Sequence, residues 1–182
     1  ENYMEQRRSD ILSSGELSSY TVSSLQVLGL ERGLCMKDGE PCRDALYGTS
    51  GLRDERRLSA LAELWLLEAM SREKGKQGRI PSVAAYLETA RFAYACLFFT
   101  ERPMSKRPLE ERPTQVRDYY NFSVQQALSK IFEERLSAAR PDRKESTISI
   151  SGWKLHVKVN GTEGSRLDLL PEAILPASEL SF

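Results

Sequence analysis

Three long segments with apolar residues at helical spacing constrain the fold of this chain more than any other feature. They run over residues 54–74, 81–101 and 113–139, and apolar side chains recur in each at every third or fourth position. An apolar stripe on a helix must be buried against another element. We therefore predict a mainly α fold: a helical bundle of three long helices and several short ones.

Each long helix has its own predicted core face. Asp54 is the predicted N-cap of the first helix, whose apolar stripe is so wide that we expect burial on more than one side. The second and third helices carry residues at three-to-four spacing, namely Val83, Leu87, Ala90, Tyr94, Leu97 and Phe98, and then Val116, Tyr120, Val124, Ala127 and Ile131, with Leu128 and Phe132 beside them.

Shorter elements are predicted before the first long helix. A helix over residues 3–13 should stop at Gly15, and a second helix should start at the N-cap Thr21 and end at Gly29. The next stretch is rich in turn residues, with one short helical piece over about residues 42–47. A proline-punctuated connector between the second and third long helices is predicted to be a surface loop.

A change of periodicity predicts a small β-hairpin near the C-terminus. Ile148 and Ile150 are even-numbered whereas Trp153 and Leu155 are odd-numbered, so one straight strand would place them on opposite faces. A hairpin with Gly152 in its two-residue turn pairs Ile150 with Trp153 and Ile148 with Leu155, and a bulge at Gly152 is the alternative. The apolar face should dock on the helices or on a sheet supplied by another domain.

These elements divide the chain into residues 1–145, a helical domain, and residues 146–182, the hairpin and an apolar tail. The second part is expected to be the start of, or a dock for, a further α/β domain. Because the sequence begins at Glu1 without an initiator Met, we also expect an upstream segment, removed in a way compatible with export.

Composition argues against two classes of partner. The chain has 26 basic and 26 acidic residues, so it lacks the broad positive field by which nucleic-acid binders attract phosphate. The longest apolar run, residues 92–99, is far shorter than the roughly 20 residues of a membrane span. We predict no nucleic-acid partner, and interpret the run as a buried helix.

The cysteines predict no metal site. Cys35 and Cys42 flank a polar turn that can bring their sulfurs together as a disulfide, and the alternative is two separate reduced cysteines. Cys96 lies in the apolar run and is predicted to be a reduced core residue. Zinc is not expected, because CxxC pairs and a second histidine are missing.

A cationic stripe is the one candidate contact site for a ligand. Alternation places Lys154, His156 and Lys158 together on the polar face of the hairpin. This is either a solvated stripe or a contact for a small anion or a lipid headgroup at a membrane surface. His156 is the single histidine of the chain, and its place on this face argues against a catalytic role.

No complete catalytic or cofactor motif is present. Residues 48–51 approach the nucleophile elbow, but Leu52 stands where its second glycine is required, so we predict a loop. No catalytic residue and no cofactor are predicted. Five aromatic side chains either form ordinary core or line a small-molecule cleft between helices: Trp65, Tyr86, Tyr94, Tyr119 and Tyr120.

Several short motifs carry a family resemblance. They are Asp10-Ile11-Leu12 before Gly15, Leu17-Ser18 with Thr21, Leu28-Gly29-Leu30 followed by Cys35 and Cys42, Leu61-Ala62-Glu63-Leu64, Tyr120-Asn121, and Leu175-Pro176-Ala177-Ser178. In these the chain resembles the N-terminal helical region of exported bacterial proteins, often lipoproteins, whose later part is an α/β-hydrolase domain of lipase or esterase type. The catalytic residues of such proteins lie beyond this region.

The resemblance implies a non-catalytic helical portion that covers or positions the active site of a carboxylic-ester hydrolase, in the same polypeptide or an associated chain. It also implies an exported protein, periplasmic or outer-membrane-associated. The alternative is a free-standing helical scaffold of helix-pair type, similar to TPR proteins, that binds another protein, although no 34-residue repeat is visible.

Overall fold

The computed structural model describes residues 10–75, 79–107, 110–137, 145–150 and 152–158. These ranges contain seven α-helices, one 3-10 helix and two strands. The α-helices are α1 (Ile11–Ser14), α2 (Ser19–Val27), α3 (Arg32–Lys37), α4 (Glu40–Gly48), α5 (Asp54–Lys74), α6 (Arg79–Phe98) and α7 (Glu111–Ser137), and the strands are β1 (Glu145–Ile150) and β2 (Trp153–Lys158). The predicted mainly helical fold with a small hairpin is confirmed.

The first two helices show how local caps set their bounds. The predicted helix over residues 3–13 lies largely outside the described residues, but Gly15 ends α1 in the left-handed conformation, with φ 74°. The N-cap of α2 is Ser18, whose hydroxyl accepts the Thr21 N–H at 3.2 Å. The prediction that Thr21 is the N-cap was therefore wrong. The Thr21 hydroxyl donates to the Glu63 carboxylate instead.

Helix α3 is absent from the sequence prediction. Its residues include Gly33, which lowers helix propensity and favoured assignment to a turn. The following helix, α4, extends the predicted piece at 42–47 by a residue or two at each end and holds Pro41 in its first turn, where a missing N–H costs little. A disulfide between Cys35 and Cys42 joins the two helices.

Helix α5 occupies the predicted range 54–74 and is the centre of the fold. Arg53 is its N-cap, so the predicted cap Asp54 is instead the first helical residue. The expected burial on several sides is confirmed, because buried side chains lie all around the helix: Ser59, Ala60, Leu61, Ala62, Glu63, Leu64, Leu66 and Ala69.

Helices α6 and α7 complete the bundle, α6 packing against both α5 and α7. Helix α6 ends at Phe98, three residues before its predicted end, and Pro103 lies just beyond. Helix α7 begins two residues before Pro113, and its last predicted residues, 138 and 139, lie outside the described part. The connector is not wholly at the surface, because Met104 in its 3-10 turn is fully buried.

The hairpin has the predicted register. Ile150 pairs with Trp153 and Ile148 with Leu155, and Gly152 adopts φ 86°, so a two-residue turn rather than a bulge corrects the phase. Its apolar face docks on the helices: Ile150 is buried in the core that also contains Tyr86.

Candidate protein-binding surface

The cationic stripe of the hairpin is only partly described. Lys154 pairs with Ser149 across the strands, and its side chain is exposed. The backbones of His156 and Lys158 continue β2, but their side chains lie outside the described residues. A contact with an anion or a lipid headgroup therefore stays a prediction.

Cys35 and Cys42 form a disulfide, the first of the two alternatives predicted for these cysteines. Cys35 and Cys42 are fully buried, and their Cα atoms are 5.7 Å apart. Cys96 is a buried free thiol, as predicted, and burial raises its pKa to about 12. Its sulfur lies 3.6 Å from that of Met104, so this cysteine is part of the core and is not an activated nucleophile.

A buried polar network links three distant parts of the chain. The Glu63 carboxylate accepts the backbone N–H of Ser18 at 2.5 Å, its hydroxyl at 2.8 Å and the Thr21 hydroxyl at 2.6 Å. Arg112 Nη1 lies 3.1 Å from Glu63 Oε2 and also donates to Gln115. These bonds join α2 and α7 to α5, so the network fixes both helices on the central one.

Electrostatics within this network favour the charged form of Arg112. Burial is the largest single influence and lowers the pKa of Arg112, but the Glu63 carboxylate together with the neighbouring Tyr119 and Cys96 raises it overall. The Arg112 guanidinium also lies 4.6 Å from the centre of the Tyr20 ring, a cation–π contact. The buried hydrogen bonds of the pair join three helices, which is the arrangement of a structural network rather than of a catalytic one.

The five aromatic residues considered for a cleft divide into two groups. Tyr86 and Tyr119 are fully buried, and Trp65 packs against the core with its Nε1–H donating to Tyr47 at 2.7 Å. Tyr94 and Tyr120 lie instead on the outer side of α6 and α7. Core is therefore the correct alternative for the first group.

Four side chains form an aromatic surface on that outer side: Tyr94, Phe98, Phe99 and Tyr120. The ring of Tyr94 is 4.7 Å from that of Phe98, 5.8 Å from Phe99 and 5.9 Å from Tyr120. Tyr94, Phe98 and Phe99 are 44%, 47% and 74% exposed, whereas Tyr120 is half-buried. The prediction that Tyr94 and Phe98 belong to the core stripe was wrong.

The apolar area continues along α7. Tyr120, Val124 and Leu128 follow one another at a spacing of four residues, which places them on one helical face. Leu128 is 36% exposed, so its predicted place in the core was also wrong. Together with Tyr94 and Phe98 on α6, this strip forms an apolar surface across two packed helices.

A signal for this surface existed in the sequence. Eight consecutive apolar residues, 92–99, cover every side of a helix, and one packed side cannot bury them all. The apolar character of the run predicts burial of all eight side chains. Periodicity did not identify the exposed members, because their neighbours on α5 and α7 decide which side is covered.

No group of histidine, cysteine, aspartate or glutamate side chains among the described residues is arranged to hold a metal ion. None of the described helices has the length and apolar character that a membrane span requires. The sequence 48–51, weighed as a nucleophile elbow, lies at the end of α4 and in the loop after it, where the Gly51 N–H donates to the Thr49 hydroxyl.

Comparison with known proteins assigns no family. No protein-family model matches the chain, and neither the curated proteins nor the solved structures contain a significant match to it.

Proposed function

We propose that this chain is a non-catalytic helical domain that binds another protein through its aromatic surface. The observation that carries the proposal is the contact of Tyr94 with Phe98 and Phe99, which leaves three large rings partly in water. With ~200 Å² for each aromatic side chain, they expose about 330 Å² of ring surface. Tyr and Phe are enriched at the centres of protein interfaces.

The shape of the surface favours an amphipathic helix as the bound element. Two packed helices present a shallow groove, and a partner helix would lay its apolar face into it. From Tyr120 to Leu128 the strip is about 12 Å long at 1.5 Å per residue, which matches two to three helical turns. The exposed ring area is about two fifths of the ~800 Å² that each partner buries in a standard interface, so a polar rim would complete it.

The resemblance gives this partner an identity: an α/β-hydrolase domain, in the same polypeptide or in an associated chain, whose active site the helical domain covers or positions. The Cys35–Cys42 disulfide supports the exported location that belongs to this proposal, since disulfides persist mainly in oxidising compartments. A free-standing scaffold would use the same surface for another protein.

Site-specific photocrosslinking in the producing cell tests the binding proposal. A benzophenone amino acid replaces Phe99 on the aromatic surface or, as the matched control, Leu34 on α3, which is also apolar and 49% exposed. We expect one discrete adduct from position 99 and none from position 34. In the protein that carries the crosslinker at position 99, changing Tyr94 and Phe98 to Ser should abolish the adduct. The circular dichroism spectrum of this variant should stay unchanged.

The mass and sequence of the adduct decide between the alternatives. A crosslinked peptide from an α/β-hydrolase domain supports the hydrolase-associated proposal, and a helix of an unrelated protein supports the scaffold. An adduct of twice the chain mass would identify self-association and overturn both. Equal, diffuse crosslinking from positions 99 and 34 would refute the proposal that this surface is a specific interface.

A further inference from the structure

A cavity at the start of α5 lies apart from the aromatic surface and has unmatched positive charge. It has a volume of about 410 Å³ and is lined by Tyr20, Val27, Leu52, Arg53, Glu55 and Arg56, among others. This volume is within the range of small-molecule sites, roughly 300–1,000 Å³. The walls come from α2, the α4–α5 loop and the first turn of α5.

The charges on the cavity wall do not cancel. Glu55 is already neutralised, because its carboxylate lies 2.7 Å from the Arg107 guanidinium outside the cavity lining. Among the residues that the structure describes, neither Arg53 nor Arg56 pairs with a carboxylate. The Arg56 guanidinium instead lies 5.3 Å from the centre of the Tyr20 ring, held in place without losing its charge.

The remaining wall is apolar. Leu52 is buried, whereas Val27 is 58% exposed. The Tyr20 ring adds a flat, half-buried face. A ligand that fits this lining has an anionic end for the two guanidinium groups and an apolar body for these three side chains.

We infer that this cavity binds an organic carboxylate with an apolar chain. A planar guanidinium matches the geometry of a carboxylate or a phosphate and binds either in bidentate fashion. A carboxylate with an apolar chain matches both parts of the lining, because the guanidinium groups would bind the charge while Tyr20, Val27 and Leu52 would contact the chain. Inorganic phosphate offers the charge alone.

Octanoate is the probe, titrated into the intact 182-residue chain and followed by amide chemical shifts. We expect saturable shifts at Gly51, Leu52 and Arg56. Loss of one charged hydrogen bond in Arg56→Gln should weaken binding about tenfold or more. Arg57→Gln is the matched control: it lies next in the sequence but pairs with Asp54, and its binding should stay within twofold.

The comparison probes separate the possible origins of a signal. Octanol, which has the chain but no charge, and inorganic phosphate, which has charge but no chain, should each bind at least tenfold more weakly than octanoate. If octanol binds as tightly as octanoate, the arginines do not bind the ligand's charge. If phosphate binds as tightly as octanoate, the apolar side chains do not contribute to binding. Absence of saturable octanoate shifts would overturn the whole inference.

A folding defect cannot be mistaken for a binding defect in this design. Arg53 is exposed, so Arg53→Gln provides a second binding variant that should keep the native spectrum and also weaken octanoate binding. If Arg53→Gln and Arg56→Gln both retain the native spectrum and native affinity, the inference is wrong. This result would leave the aromatic-surface proposal untouched, since no residue is shared.

Discussion

Replacing Glu63 with Gln keeps the size of a fully buried side chain but removes its charge. The native carboxylate receives hydrogen bonds from Ser18, Thr21 and Arg112, with distances from 2.5 to 3.1 Å. The amide oxygen of Gln can still accept the Ser18 N–H at the position of Oε1, but the amide nitrogen at the position of Oε2 accepts none of the other three bonds. Arg112, only 7% exposed, also loses its counter-ion. Removing one partner of a buried ion pair costs about 3–5 kcal/mol, which is the loss expected for the free energy of unfolding.

Urea unfolding followed by circular dichroism at 222 nm measures this loss. Asp54→Asn is the control, because it breaks an exposed ion pair with Arg57 that contributes at most about 1 kcal/mol. The double variant Glu63→Leu with Arg112→Met removes both charges, and should be less destabilised than Glu63→Gln. If Glu63→Gln loses no more stability than Asp54→Asn, the buried network does not stabilise the fold as argued.

Three further predictions concern the disulfide, the free thiol and the exposed rings. Refolding in a reducing agent, which breaks the Cys35–Cys42 disulfide, should lower the free energy of unfolding by about 2.5 kcal/mol, the chain-entropy value for this short loop. An unchanged urea midpoint would contradict this prediction. The raised pKa keeps the buried Cys96 thiol protonated at pH 8, so Ellman's reagent should react with it only after the protein unfolds. Rapid reaction of the native protein would show instead that the thiol is accessible. Phe99→Ser should change stability by less than about 0.5 kcal/mol, whereas Leu64→Ala should cost about 2–5 kcal/mol in the same urea assay; equal losses would mean that Phe99 is a core residue.

Local sequence patterns predicted the elements that depend on local physics. The bounds of α5 follow from its apolar periodicity, and the hairpin follows from the change of parity between Ile150 and Trp153. Gly15 ends α1 because a left-handed residue is needed there. In each case the deciding interaction lies within a few residues of the chain, where spacing and side-chain type are visible.

The candidate sites depended on contacts that spacing does not show. Glu63 and Arg112 are 49 residues apart, and neither residue alone suggested an ion pair. The cavity at Arg53 and Arg56 appears only when the loop before α5 approaches Tyr20 on α2. Both features needed the tertiary arrangement to bring their side chains together.

Sequence patterns alone predict a helical bundle with a small β-hairpin, because periodicity fixes which side chains share a face of a helix or strand. Which of these faces are covered, including the docking of the hairpin on the helices, depends on the tertiary packing. Tyr94 and Phe98 satisfy the helical pattern as well as the buried Val83 and Ala90 do, yet remain exposed. The reason is that burial depends on the neighbouring helices, and those of the described bundle cover only part of the apolar surface of α6.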